Sequence, residues 1–250
     1  MSVVAIPSKG RPKLKNWALY QQAGMDFVVF VEPAEYALYK KENVPNLVQI
    51  AQNGAGISFV RNSILDWGKK NNISKLWMID DDVTSFGIVQ NKRCHRRGAE
   101  VLLEIERKTA EMPFALVGMQ YRQYAWSTGK NNPYNINSKP VEVAVLLNIP
   151  KISWQYSYEL AGKEDRDFCM QAIKHSSGVL RLNKYAFNCP DVGTNNGGLQ
   201  DFYQANKDAE AAYKLQNTWA QFAEMKKQNK RIDCKLHMGK FAKSLAKEVV

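Results

Sequence analysis

Leu76-Trp77-Met78-Ile79-Asp80-Asp81-Asp82-Val83 is an apolar run that stops abruptly at three carboxylates and resumes at Val83. The run has the length and composition of a strand buried on both faces. Three adjacent negative charges at its end are costly unless something positive sits among them. A divalent cation of the Mg²⁺ or Mn²⁺ kind takes hard oxygen ligands and commonly shares them with a substrate phosphate. The stretch therefore reads as a strand that delivers a metal site to a phosphorylated donor, and otherwise as an exposed acidic turn.

The strand has company. Val3-Val4-Ala5-Ile6, Phe27-Val28-Val29-Phe30-Val31 and Leu47-Val48-Gln49-Ile50 are further short apolar runs. Ile57, Val60, Ile64 and Trp67 recur at helical spacing after Gly54-Ala55-Gly56. Residues 98–111 read as a second helix and Phe114-Ala115-Leu116-Val117 as another strand. This alternation predicts an α/β domain with a mostly parallel sheet flanked by helices, spanning residues 1–195. Met119 to Pro140 is polar and aromatic without a period, a long excursion of the kind that carries function. Val141, Val143, Val145 and Leu147 alternate as a half-buried strand, and Glu164 to Lys174 reads as a short helix. Residues 196–250 read as a helical C-terminal extension packed on the domain. Leu199, Phe202, Ala209, Tyr213, Phe222 and Met225 mark one long amphipathic segment there, and a basic tail runs from Lys226 to Lys247.

Composition bounds the function classes. The 250 residues carry a net charge of +11, which favours a polyanionic partner such as nucleic acid. No apolar run reaches the length of a membrane span and Met1-Ser2-Val3-Val4 lacks a charged leader, so a cytoplasmic protein is expected. Cys94, Cys169, Cys189 and Cys234 are widely spaced, which points to free thiols rather than a zinc site or a disulfide framework.

In open α/β sheets ligands gather beyond the carboxyl ends of the strands. Pro7-Ser8-Lys9-Gly10-Arg11-Pro12 follows the first strand and Asp80-Asp81-Asp82 the fourth. Gly162-Lys163-Glu164-Asp165-Arg166-Asp167-Phe168 opens the later helix. Acidic residues in a first helical turn complement the helix dipole; they can also supply a general base.

Together these pieces resemble a glycosyltransferase of the GT-A fold, with Asp80-Asp81-Asp82 as its DxD motif and Lys163-Glu164-Asp165 as its xED motif. Gly56-Ile57-Ser58-Phe59-Val60-Arg61-Asn62 is similar to the G-x-x-x-x-R-N helix start of family 2 enzymes. Ala5 to Pro12, Arg61-Asn62-Ser63, the IDDDV stretch and the KEDRDF stretch also resemble a narrower group. These are phage-type glycosyltransferases, including the TET-associated family, which decorate hydroxymethylated pyrimidines in DNA.

The resemblance implies a UDP-sugar donor bound by Pro7, Ser8, Lys9, Arg11, Arg61, Asn62, Asp80 and Asp81. It implies Mn²⁺ or Mg²⁺ held by Asp80 and Asp82, with His237 as a C-terminal ligand, and Asp165 or Glu164 as catalytic base. DNA containing 5-hydroxymethylcytosine is the implied acceptor. The loop Lys92-Arg93-Cys94-His95-Arg96-Arg97 and the side chains of Tyr121, Arg122, Tyr124 and Trp126 would then meet its backbone and an extruded base. A glycan or small-molecule acceptor, a non-catalytic nucleotide- or nucleic-acid-binding role, and nucleotidyl transfer are the alternatives.

Overall fold

Strand β1 (Val3–Pro7) shows how the core divides, because its side chains alternate between two apolar layers. Val4 and Ile6 enter one layer and Ala5 the other. The computed structural model describes residues 2–13, 15–127, 132–190, 197–198, 200, 202, 205, 207–228 and 231–248. Helix α1 (Trp17–Gln22), β2 (Asp26–Val31), α2 (Pro33–Lys41), β3 (Leu47–Gln49), α3 (Ile57–Lys70) and β4 (Lys75–Ile79) follow. β3, β2, β1 and β4 are mutually parallel neighbours. Such strands need cover on both faces, and β4 obtains it. Trp77 and Ile79 pack into one layer with Tyr20, Leu102 and Ile105, while Leu76 and Met78 pack into the other with Ile64, Leu65 and Phe168.

The chain continues through β5 (Ser85–Gln90), β6 (Arg93–Arg97), α4 (Glu100–Lys108), β7 (Leu116–Tyr121), β8 (Tyr134–Ile136), β9 (Ala144–Asn148), α5 (Glu164–His175) and β10 (Val179–Asn188). The sheet order is β3-β2-β1-β4-β9-β7-β10-β5-β6, with β8 also paired to β10. Seven strands share one direction, and β5, β8 and β9 oppose it. The expected α/β class with a mostly parallel sheet is what the chain adopts.

Three local expectations change. Residues 93–97, read as a loop, form β6, because Asn91 and Lys92 both adopt positive φ and close a tight hairpin with β5. The strand read from Val141 begins at Ala144 and is buried on both faces rather than one, since Ala144 and Leu146 enter one apolar layer and Val145 and Leu147 the other. Val143 just before it sits at φ +65°, an uncommon conformation for a β-branched residue. Its carbonyl accepts the Asp80 N–H at 3.0 Å, so this bend fixes the backbone where the carboxylates begin.

The third change lies in the C-terminal part. Among the described residues it holds helices α6 (Lys207–Thr218) and α7 (Met238–Glu248), and between them a hairpin of β11 (Ala223–Gln228) and β12 (Arg231–Leu236). The single long amphipathic segment expected through Met225 therefore ends at Thr218. From Ala223 onward the apolar residues alternate rather than recur at helical spacing, and Met225 pairs with Cys234 across the hairpin. Met238 and Phe241 belong to the apolar layer shared by α3 and α5, with Trp219 and Phe222 rings 5.3 and 5.0 Å from Phe241. The expected boundary at 195/196 falls outside the described residues, as do Asn195, Asn196 and Leu199. No helix among the described residues is long and apolar enough to cross a membrane.

Asp233 on β12 fastens the hairpin to the start of α5, accepting Lys163 Nζ at 2.8 Å and Arg166 Nη1 at 2.9 Å. Burial opposes its charge, but Arg166 and Lys163 prevail and hold it at about 2. An unfolded Asp titrates near about 3.9. This carboxylate therefore stabilises the fold above that value, and the contribution disappears as pH falls towards about 2. Urea midpoints of the parent and Asp233→Asn should differ at pH 7 and converge at pH 2.

Candidate active site

The carboxyl ends of β1 and β4, the start of α3 and the start of α5 enclose a cavity of about 290 Å³. Pro7, Ser8, Lys9 and Arg11 line it from the basic loop, Arg61 from α3, Asp80, Asp81 and Asp82 from the acidic turn, and Glu164 and Asp165 from α5. All of these were expected at the site, although they come from four distant parts of the chain.

Positive charge does sit among the three aspartates, and arginine supplies it. Arg11 Nη1 bonds Asp81 Oδ1 and lies 3.3 Å from Asp82 Oδ2. Asp81 is buried and also accepts the Ser8 hydroxyl at 2.6 Å. Its role is thus to anchor the basic loop. Burial pushes Asp81 up to about 6 despite Arg11 and Ser8. Arg61 Nη2 bonds Asp80 Oδ1 at 3.1 Å, and its Nε bonds Glu164 Oε1 at 3.2 Å. One guanidinium thereby joins the acidic turn after β4 to the first turn of α5.

Ser58, Arg61 and Asn62 share one face of α3, as the i, i+3, i+4 spacing requires. Ser58 donates to Ser157 O at 2.7 Å. Asn62 donates to Tyr156 O at 2.9 Å and accepts Tyr156 N–H at 2.8 Å. Asn62 is buried and does not line the cavity, so its expected place at the nucleotide is corrected: its amide is consumed by the loop that leads into α5. Tyr156 in turn stacks on Phe168 of α5, with ring centroids 3.8 Å apart. The R-N pair positions α5.

Burial, then neighbouring Glu142 and Glu164, hold Asp165 well above the usual carboxylate range. Burial also raises Asp80 and Glu164 against the pull of Arg61. Glu164 Oε2 is buried without a hydrogen-bond partner among the described residues. Among the described lining residues six carboxylates (Glu32, Asp80, Asp81, Asp82, Glu164, Asp165) face three cations (Lys9, Arg11, Arg61). Such a wall is short of positive charge.

That imbalance bears on the expected cation. Among the described residues, no group of three or more His, Cys, Asp or Glu could hold a metal ion unaided. Mg²⁺ is usually held by one or two carboxylates together with substrate phosphates, so Asp80 and Asp82 suit it. His237 is elsewhere. It lines a second cavity and lies 3.1 Å from Glu224 Oε2, because β12 carries it away from the acidic turn.

Sequence reasoning also missed Val143, Cys189 and Pro190 in the wall. The last two follow β10, a strand whose polar interruptions at Arg181, Asn183 and Lys184 hid it. Tyr121 lines the cavity too, its ring 4.6 Å from Phe187 and 6.0 Å from Tyr124. It is therefore wall rather than an exposed stacking platform. Tyr124 and Trp126, on the short helical turn 122–127, are 46% and 69% exposed. Arg93, Arg96 and Arg97 are exposed on β6, the strand at the sheet edge. Ala125 packs with Val89, Ala186 and Cys94, which holds the aromatic turn against the basic hairpin. Arg122 reaches Asn188 at 3.5 Å.

The profile of the TET-associated glycosyltransferase family matches residues 2–198, a span that contains the whole basic loop, the acidic turn and α5. The chain belongs to that family. No curated protein matches the chain in sequence. Similar solved structures include HddC from Yersinia pseudotuberculosis, 14% identical over 82% of this chain and 98% of that one, with a TM-score of 0.47. A197 from STIV is 16% identical over 75% of this chain and 84% of that one, with a TM-score of 0.44. A mannose-1-phosphate geranyltransferase from Thermus thermophilus is 8% identical over 100% and 99% respectively, also with a TM-score of 0.44. The protein is a glycosyltransferase.

Replacing Arg61 by Met would leave Asp80 and buried Glu164 without their shared cation. Breaking a buried pair in this way costs about 3–5 kcal/mol. Urea denaturation should register that loss for Arg61→Met, and a much smaller one when Arg61→Met is made in a Glu164→Gln background.

Proposed function

We propose that this glycosyltransferase moves a sugar from a UDP-sugar to the hydroxyl of 5-hydroxymethylcytosine in DNA. The observation that carries the reading is that Asp80, Asp82 and Asp165 face one cavity, with Lys9 and Arg11 on the same wall. Asp80 and Asp82 would hold Mg²⁺ or Mn²⁺, which when bound neutralises negative charge on the nucleoside diphosphate.

The protein's own groups account for the remaining steps. The N-terminus of α3 begins at the cavity after Gly56, has no side-chain cap and favours an anionic phosphate. As the bond between the anomeric carbon and the diphosphate oxygen breaks, charge develops on that oxygen, and Lys9 and Arg11 stabilise it there. The acceptor oxygen forms the new bond to the anomeric carbon from the opposite side, inverting the configuration. Its proton passes to Asp165, whose affinity for protons burial and the neighbouring Glu142 and Glu164 raise, as a general base requires. The orphaned Glu164 oxygen offers an acceptor to a hydroxyl of donor or acceptor.

Support for DNA comes from the rim. Charges on an edge strand also prevent edge-to-edge pairing, so Arg93, Arg96 and Arg97 alone define no interface. Edge protection does not call for a neighbouring indole left 69% exposed. Cations for phosphates and aromatic faces for an unstacked base are what an enzyme acting on a flipped nucleotide requires. Tyr121, Tyr124 and Trp126 lead from the cavity wall to that hairpin.

Incubating hydroxymethylcytosine-containing DNA with the protein, Mn²⁺ and a panel of UDP-sugars should add one sugar mass to the modified nucleoside. Asp82→Asn should all but abolish the gain while the protein stays folded. Asp165→Asn should lower kcat by about 10²–10⁴-fold, the usual worth of a general base. Arg93→Ala/Arg96→Ala/Arg97→Ala should depress transfer to DNA and spare transfer to a free hydroxymethyl nucleoside. Equal loss on both acceptors would count against DNA as the substrate.

A further inference from the structure

The positive charge of this chain is concentrated. Residues 223–248 hold eight Lys and Arg against three carboxylates, and they lie beyond residue 198, where the family match ends. Helix α7 turns Met238 and Phe241 into the core. Lys240, Lys243 and Lys247, spaced three and four residues apart, are exposed on its outer face. At its N-terminal end this row opens into a cavity of about 520 Å³.

Lys139, Arg166, Lys226, Lys235, His237 and Lys240 line that cavity, with Asp233 the one carboxylate among its described lining residues. Lys235 and His237 share Glu224, and Arg166 is bonded to Glu142 and Asp233. Lys139, Lys226 and Lys240 have no ion-pair partner among the described residues. Cations gathered this closely repel one another, and the potential they create draws in an anion.

We propose that this cavity and the lysine row of α7 form a second phosphate-binding site that holds the sugar–phosphate backbone of the acceptor nucleic acid. The inference rests on DNA being the acceptor. The lining chemistry favours backbone over base: lysines act as point charges towards phosphate, and no Phe, Tyr or Trp stands among the described lining residues to stack a base. A lone phosphate would occupy the cavity only. The row from Lys240 to Lys247 continues for about 10 Å along the helix, which suits a polyanion. Arg166 sets the distance to the chemistry. It lines this cavity, whereas Asp165, its neighbour in sequence, lines the transfer cavity. A phosphate held at Arg166 lies one residue from the group that takes the acceptor proton.

The test is fluorescence anisotropy with a labelled duplex lacking hydroxymethyl groups, titrated against the full chain and Lys226→Ala/Lys240→Ala/Lys243→Ala at several salt concentrations. All three lysines are exposed, so the variant should fold. It should bind about tenfold more weakly, and its slope of log affinity on log salt should fall by about 2–3, at about 0.9 for each phosphate no longer neutralised. UDP affinity by calorimetry should not change, and with hydroxymethylated DNA KM should rise at constant kcat.

If the parent binds duplex in a salt-dependent way and the variant matches it, the second site is overturned while DNA as acceptor stands. A parent with no salt-dependent affinity for DNA overturns both. Inorganic phosphate binding that the variant loses, with DNA affinity unchanged, identifies a small-anion site and also overturns the proposal.

Discussion

Arg61 is the constraint on which the rest of the site depends. A guanidinium buried between Asp80 and Glu164 brings together two motifs more than eighty residues apart in sequence. Buried ion pairs contribute little net stability, because desolvation offsets most of their attraction. Their use here is geometric. The fork of the guanidinium meets one carboxylate with Nη2 and the other with Nε, so β4 and α5 cannot slide without breaking one bond. Lysine would keep the charge and lose the fork. Ser58 and Asn62 reinforce the same alignment through backbone hydrogen bonds to the loop before α5.

Global and local charge point in opposite directions, and both are informative. The chain is strongly basic, yet carboxylates outnumber cations in the described wall of the transfer cavity. On the proposed reading, a nucleoside diphosphate entering such a cavity would need added positive charge, which a divalent cation at the acidic turn would supply. The surplus lysines and arginines lie outside it, on β6 and on the β11–β12–α7 segment. Basic composition therefore describes the proposed macromolecular partner, and the acidic cavity describes the donor. Reading either alone would give the wrong sign for the other.

Much of this was legible in the residues. β1, β2 and β4 are continuous apolar runs because parallel strands are covered on both faces, and their ends mark the ligand side of the sheet. Asp80 to Asp82, Lys9, Arg11 and Asp165 could be placed from that rule together with the family resemblance. What escaped depends on packing between distant segments. β10 is central, but Arg181, Asn183 and Lys184 break its apolar pattern, and a register shift against β7 accommodates them. β6 consists largely of charged residues and is a strand only because Asn91 and Lys92 turn it back onto β5. His237 had suitable ligand chemistry and the wrong location. Asn62 stands next to a cavity residue on a helix, and a step of one residue turns it onto the α5 loop. Neither outcome can be read from local spacing.

The first turn of α5 is where donor chemistry and acceptor binding become one geometric problem. Glu164 faces Arg61, Asp165 faces the transfer cavity, and Arg166 faces the hairpin through Asp233 and the Cys234 carbonyl. Three consecutive side chains of a helix diverge by about a third of a turn each, so one turn can address three partners at once. This arrangement makes the C-terminal segment more than an appended basic tail. Its lysine-bearing surface is tied by ion pairs to the same helical turn as the proposed base, and Met238 and Phe241 sink its helix into the shared core. A backbone held by that segment, as proposed, would be registered against Asp165 through the first turn of α5.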